Sequence, residues 1–148
     1  MSSTPKILVI NGPNLNMLGL RQPEVYGSES LSDVESRCQK KGTSLGLEVT
    51  CKQSNMEGDI VTWIQQARND YDGILLNAGA YTHTSVAIHD AILSSETPVI
   101  EVHLSNIHAR EEFRHHSFIS PVAVGMICGF GTFGYDMAMD AIKAHLQK

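Results

Sequence analysis

The chain has three cysteines in 148 residues, Cys38, Cys51 and Cys128, and no CxxC pair among them. An odd, widely spaced set argues against a disulfide frame or a thiolate zinc site and fits reduced structural thiols. No apolar run approaches the about 18 residues that a membrane helix needs. The opening "MSSTPK" has neither the basic nor the apolar region of a secretion signal. Basic residues are few: 11 Lys and Arg against 16 Asp and Glu give a net charge of −5, with no basic stripe to grip nucleic acid. The expected class is therefore a cytoplasmic protein that binds neither membrane nor nucleic acid. At 42% hydrophobic and 18% charged residues the chain can fill a core, and its length suits a single domain over 1–148.

Short apolar runs alternate with helical patterns. Strands are expected at Lys6–Asn11, Leu47–Gln53, Gly73–Asn77, Pro98–His103 and Val122–Cys128. Helices are expected at Ser30–Leu45, with Ser32 and Glu35 at capping-box spacing, around Ile60, Ile64 and Ala67, at Ser85–Leu93, and at about Tyr135–Gln147. The polar stretch "SNIHAREEFRHHS" is expected to hold a short helix. Alternating strands and helices imply a parallel sheet with right-handed crossovers. Five strands favour an α/β flavodoxin-like sheet of order 2-1-3-4-5 with helices on both faces, a Rossmann half-fold being the alternative.

In that topology the carboxyl ends of strands one, three and four share an edge, where such folds bind ligands. The sequence places "NGPN", "NAGAYTHTS" and "EVHLSN" there. The segment Gly12–Gly27 after strand one is longer than loops of compact domains usually are, and it carries Asn14, Asn16, Arg21 and Tyr26. Each of these also has a plain structural reading. Asn77 suits a turn, Tyr26 can pack, Arg21 can be a solvated charge, and a histidine such as His103 can simply finish a strand. Glu101, two residues before His103, shares its strand face and can orient the ring.

Together "GPNLNMLGLRQPEVYG", "NAGAYTHTS", "EVHLSN" and "AREEFRHHS" resemble, in order and spacing, the signature segments of the type II dehydroquinases (3-dehydroquinate dehydratases). The resemblance implies a flavodoxin-like fold, no metal or organic cofactor, and a homododecamer built as a tetramer of trimers. It implies removal of water from 3-dehydroquinate to give 3-dehydroshikimate, in the shikimate pathway of aromatic amino acid biosynthesis or in quinate breakdown. By the same resemblance Tyr26 is the base, Arg21 its activator with Arg110 a second candidate, His103 the general acid supported by Glu101, and Asn14 the holder of a water at the enolate oxygen. Asn77, His83, Asp90, Arg114 and the backbone amides of Leu104 and Ser105 are the implied substrate contacts. His83 and Asp90, seven residues apart, are expected on one helix side.

A phenol base needs help. At an ordinary pKa near 10 only about one Tyr in a thousand is ionised at neutral pH, a deficit of about 4 kcal/mol. One cation about 4 Å away at an effective dielectric near 20 offsets about that much. A lysine Schiff base is the other way to activate the ketone, but Lys6, Lys40, Lys41, Lys52, Lys143 and Lys148 all fall away from the three strand ends.

Other signals are weaker. "GFGTFG" matches a dinucleotide fingerprint, but too little chain follows for the second strand and acidic partner, so a tight turn is expected. The seven histidines show no metal spacing, and His115–His116 reads as a solvated pair. Trp63 is expected to pack in the core or a subunit interface. A receiver domain would want acidic residues where Asn11 and Asn77 stand, and an FMN carrier a hydroxyl-rich loop where "GPNLNML" stands.

Overall fold

The computed structural model describes residues 3–20 and 28–148. Five parallel strands form one sheet in the order β2-β1-β3-β4-β5. They are β1 Lys6–Asn11, β2 Glu48–Gln53, β3 Gly73–Asn77, β4 Val99–His103 and β5 Gly125–Cys128. Four α-helices lie among the described residues: α1 Leu31–Ser44, α2 Glu57–Asp70, α3 Val86–Ser95 and α4 Phe133–Leu146. This is the flavodoxin-like order expected from the alternation of patterns.

Two apolar layers sandwich the sheet, because successive strand side chains point to opposite faces. Ile7, Val9, Leu75, Ile100 and Val102 pack with Val34 and Cys38 of α1 and with Tyr135, Ala138, Met139 and Ile142 of α4. Leu8, Ile10, Ile74, Leu76 and Val99 pack with Ile60, Ile64 and Ala67 of α2 and with Ile88, Ala91 and Ile92 of α3. Each fully buried Leu or Ile side chain contributes about 1.5–3 kcal/mol over leaving it in water. β3 is buried along its whole length, as its unbroken apolar run requires.

Four local expectations are corrected. The capping box of α1 is made by Ser30 and Asp33, not Ser32 and Glu35: Ser30 Oγ accepts from the Asp33 amide at 3.1 Å and Asp33 Oδ2 from the Ser30 amide at 3.0 Å. β5 begins at Gly125 rather than Val122, because Pro121 sits in a 3₁₀ turn over Ser120–Val122. The polar stretch after β4 forms two 3₁₀ turns, Ile107–Ala109 and Glu112–Arg114, in place of one helix. α4 starts two residues early, at Phe133. The glycine motif ahead of it is the expected turn, with Gly129 and Gly131 at φ 97° and 59°, angles that side chains disfavour. Trp63 is half-buried against the α2–α3 layer.

The register sets the chemistry. Asn11 pairs with Asn77, and Glu101 lies level with Leu76, so His103 projects two residues further toward the carboxyl edge. The loops after β1 and β3 then press together. Gly12 donates to the Asn77 carbonyl at 2.8 Å, and a Cβ at position 12 would meet the Ala78 carbonyl oxygen at 2.6 Å. Only glycine permits this approach.

Candidate functional site

A cleft of about 130 Å³ opens at the carboxyl ends of β1, β3 and β4. Asn14 lines it after β1, Asn77 and His83 after β3, and His103, Leu104 and Ser105 at the end of β4. Arg110 and Arg114 line it from the polar segment beyond. The structure thus brings eight of the implied site residues to one cavity. Arg21 and Tyr26 lie outside the described residues.

His103 is 5% exposed, and its Nε2 meets Glu101 Oε2 at 2.6 Å. Assigning that proton to Nε2 leaves Nδ1 as the ring atom available to a ligand. Glu101 is 1% exposed and stands behind the cleft wall, with Ser117 Oγ donating to Oε2 at 2.9 Å and Ser120 Oγ donating to Oε1. Burial pushes the Glu101 carboxyl up, but the hydrogen bonds from His103, Ser120 and Ser117 outweigh it and hold the group below its ordinary value. A buried carboxylate kept ionised in this way can support a positive charge on the ring beside it.

His83 is stacked against His103, ring centres 6.4 Å apart, and its Nδ1 donates to the His116 carbonyl at 2.9 Å. Burial lowers its pKa, and the nearby His103 and Arg114 add to the effect against the carbonyl's opposing pull. A neutral ring with Nδ1 committed presents Nε2 as an acceptor for a hydroxyl. Arg114 Nε is held by Glu111, and Arg110 reaches Ser105 Oγ at 3.4 Å. Two guanidinium groups and the chain just past β4 suit an anionic, hydroxylated ligand.

Asn14 holds a left-handed backbone at φ 69°, with its amide on Asn55 Oδ1 at 3.0 Å. That conformation is uncommon outside glycine, with Asn among its favoured exceptions. Asn77 is 3% exposed; its Oδ1 accepts from the Gly79 amide at 3.3 Å and its Nδ2 donates to Tyr135 Oη at 3.0 Å. Tyr135 in turn donates to Asn11 Oδ1 at 2.5 Å. This buried phenol ties together the ends of β1 and β3, and burial raises its pKa further. Neither Tyr135 nor the serines on Glu101 stood out in the sequence. An aromatic at a helix start reads as core, and serines in a polar loop read as solvated.

Asp90 is not part of this cleft. It sits exposed on α3, beyond the turn that carries His83. His83 ends a 3₁₀ turn over Gly79–His83 and the helix starts only at Val86, so a helical period does not connect the two residues. No lysine lines the cleft; Lys41 pairs with Asp140 at 3.2 Å, Lys143 donates to the Leu45 carbonyl at 2.6 Å, and Lys52 lies over Trp63. Among the described residues no group of three or more His, Cys, Asp or Glu is placed to hold a metal ion, and no helix is long and apolar enough to cross a membrane.

Comparison with known proteins gives a consistent result. The family described as "Dehydroquinase class II" matches residues 5–143. A 3-dehydroquinate dehydratase of Dinoroseobacter shibae is 61% identical over 140 residues, covering 95% of this chain and 93% of the relative. One of Ruegeria pomeroyi is 63% identical, covering 95% and 94%. The crystal structure of a type II dehydroquinase from Butyrivibrio crossotus superposes with a TM-score of 0.92 at 50% identity, over 95% of this chain and 99% of that one.

Proposed function

This chain belongs to the class II dehydroquinase family, and from that premise we propose a route by which its cleft takes water from 3-dehydroquinate to give 3-dehydroshikimate. The activity is that of a hydro-lyase of the shikimate pathway. Tyr26, as phenolate promoted by Arg21, removes the proton beside the ketone. Arg110, which lines the cleft, is the second candidate for that promotion. Asn14 holds a water that donates to the enolate oxygen, and His103 Nδ1 then gives a proton to the departing hydroxyl while Glu101 stabilises the ring. Arg114, Asn77, His83 and the amides of Leu104 and Ser105 fix the substrate's carboxylate and hydroxyls. The buried Glu101–His103 pair at 2.6 Å, opening onto the cleft, is the observation that carries this reading.

The protein works without an organic cofactor or metal, as one catalytic domain over 1–148, in the cytoplasm. Its working form is a homododecamer, a tetramer of trimers. Asp90, exposed on α3 beside the exposed Val86 and Leu93 and outside the lining of its own cleft, would reach a substrate from a neighbouring copy in such an assembly. Light scattering on the 16.2 kDa chain tests this, and a monomer at working concentration contradicts it.

The reaction is tested by adding 3-dehydroquinate and following the conjugated enone absorbance of the product. Borohydride added with substrate should leave the enzyme active and its mass unchanged. An adduct on any lysine contradicts the enolate route even if water is still lost.

A further inference from the structure

Glu101 makes more hydrogen bonds than the orienting of one imidazole requires. Its Oε2 accepts from His103 Nε2 and Ser117 Oγ, at 2.6 and 2.9 Å, while its Oε1 accepts from Ser120 Oγ. Both serines come from the segment between the cleft arginines and β5, a strap that also supplies the His116 carbonyl to His83 and the Phe118 carbonyl to His89 Nδ1 at 2.7 Å. With the carboxylate 1% exposed, these donors replace the water it has lost.

Donors on a carboxylate weaken it as a base. A buried carboxylate facing His103 alone would pull hard on the ring proton, and an acid so held gives its proton up poorly. Two hydroxyl donors spread that negative charge and slacken the pull. We propose that Ser117 and Ser120 are positioning residues that act through Glu101 to set how strongly His103 holds its proton. The proposal rests on reading His103 as the acid. Among the described residues, the other charged or titratable groups that share the cleft with His103 are His83, Arg110 and Arg114, and none of them hydrogen-bonds to either serine hydroxyl.

Ser120 is the cleaner probe, because Ser117 Oγ also accepts from the amides of Ile119 and Ser120, each at 3.0 Å, whereas the other partner of Ser120 Oγ is only the Met126 sulfur at 3.6 Å. The experiment is a ring-carbon NMR titration of His103 in the full chain for the native protein, Ser120→Ala, Ser117→Ala and Ser120→Thr. It is run beside pH profiles of water loss and of deuterium exchange at substrate C2. Ser120→Ala should raise the His103 titration point by about half to one pH unit. It should move the alkaline limb of turnover up by about as much and slow water loss about threefold to tenfold, with C2 exchange unchanged. Ser120→Thr, which keeps the hydroxyl, should restore all three. A defect that only loosened the fold would lower the plateau without moving the limb. An unchanged His103 titration point in both Ala variants overturns the proposal. A raised titration point with unaltered water loss upholds the strap's action on the pair and overturns instead the reading of His103 as the acid.

Discussion

The two ends of the sheet are made of the same strands yet are built differently. At the amino end a shallow hollow of about 340 Å³ is lined by Lys6, Glu48, Thr50, Asn69, Asp70 and Tyr71, all exposed or half-buried. Their backbone is tied by ordinary turns, such as the Lys6 amide on Asp72 Oδ2 at 2.8 Å and the Asp72 amide on the Lys6 carbonyl at 2.7 Å. At the carboxyl end lies the cleft of about 130 Å³, and Asn11, Asn77, Glu101 and His103 are all buried around it. Polar groups taken out of water must be held by specific partners, and they interact more strongly with one another there. Desolvated, hydrogen-bonded polar groups, rather than concave volume, mark the chemistry in this fold.

The sharpest way to break the contrast is to remove the proposed base. Tyr26→Phe should abolish C2 exchange and water loss together, by about 10²–10⁴-fold, in coupled absorbance and NMR assays. Retained exchange would move the base elsewhere.

Glu101→Gln should come next. Losing one charge-assisted hydrogen bond to a buried ring is worth about 1.5–3 kcal/mol, or about 10–100-fold in turnover. The variant also sharpens the pH behaviour. Glu101 lies below its ordinary value in the fold, so the stability it contributes is complete above the unfolded glutamate range and is lost as pH falls through the lower folded value. Urea unfolding of the native chain across the acid range should show that loss, and Glu101→Gln should flatten it.

A smaller effect is expected from Tyr135→Phe. It leaves Asn11 and Asn77 each short of a partner, a cost of about 1–3 kcal/mol in unfolding free energy, with a raised KM as Asn77 loses its fixed orientation. Unchanged stability would show that the buried phenol does not tie the two strand ends. The smallest effects belong to the amino end. Lys6→Ala and Glu48→Ala should change stability by no more than about 0.5 kcal/mol and leave turnover untouched. A loss of activity there would erase the distinction between the two ends.

How much of this was legible in the sequence follows from where the signals are local. Lys6–Asn11 and Gly73–Asn77 were readable to the residue, because an unbroken apolar run bounded by polar residues has one reading in a parallel sheet. The meeting of Asn14, Asn77 and His103 was readable from topology, since parallel strands carry their following loops to a common edge. The cap of α1 was misplaced because Ser28, Ser30 and Ser32 offer the same side chain at alternate positions, and only geometry chooses Ser30. Asp90 was expected on one helix side with His83 by counting two turns from the helix entry, but a 3₁₀ turn ending at His83 precedes α3 and breaks that count. Tyr135 reaches Asn77 across 58 residues of chain, and Ser120 reaches Glu101 across 19; partnerships of that kind leave no periodic trace.

The central claim is that proton removal and hydroxyl loss are separate steps served by separate groups, with His103 responsible only for the second. Deuterium exchange at C2, measured beside water loss in His103→Ala, tests it most directly. The account predicts that water loss falls by about 10²–10⁴-fold while exchange continues near the native rate. Exchange falling in step with water loss would contradict it.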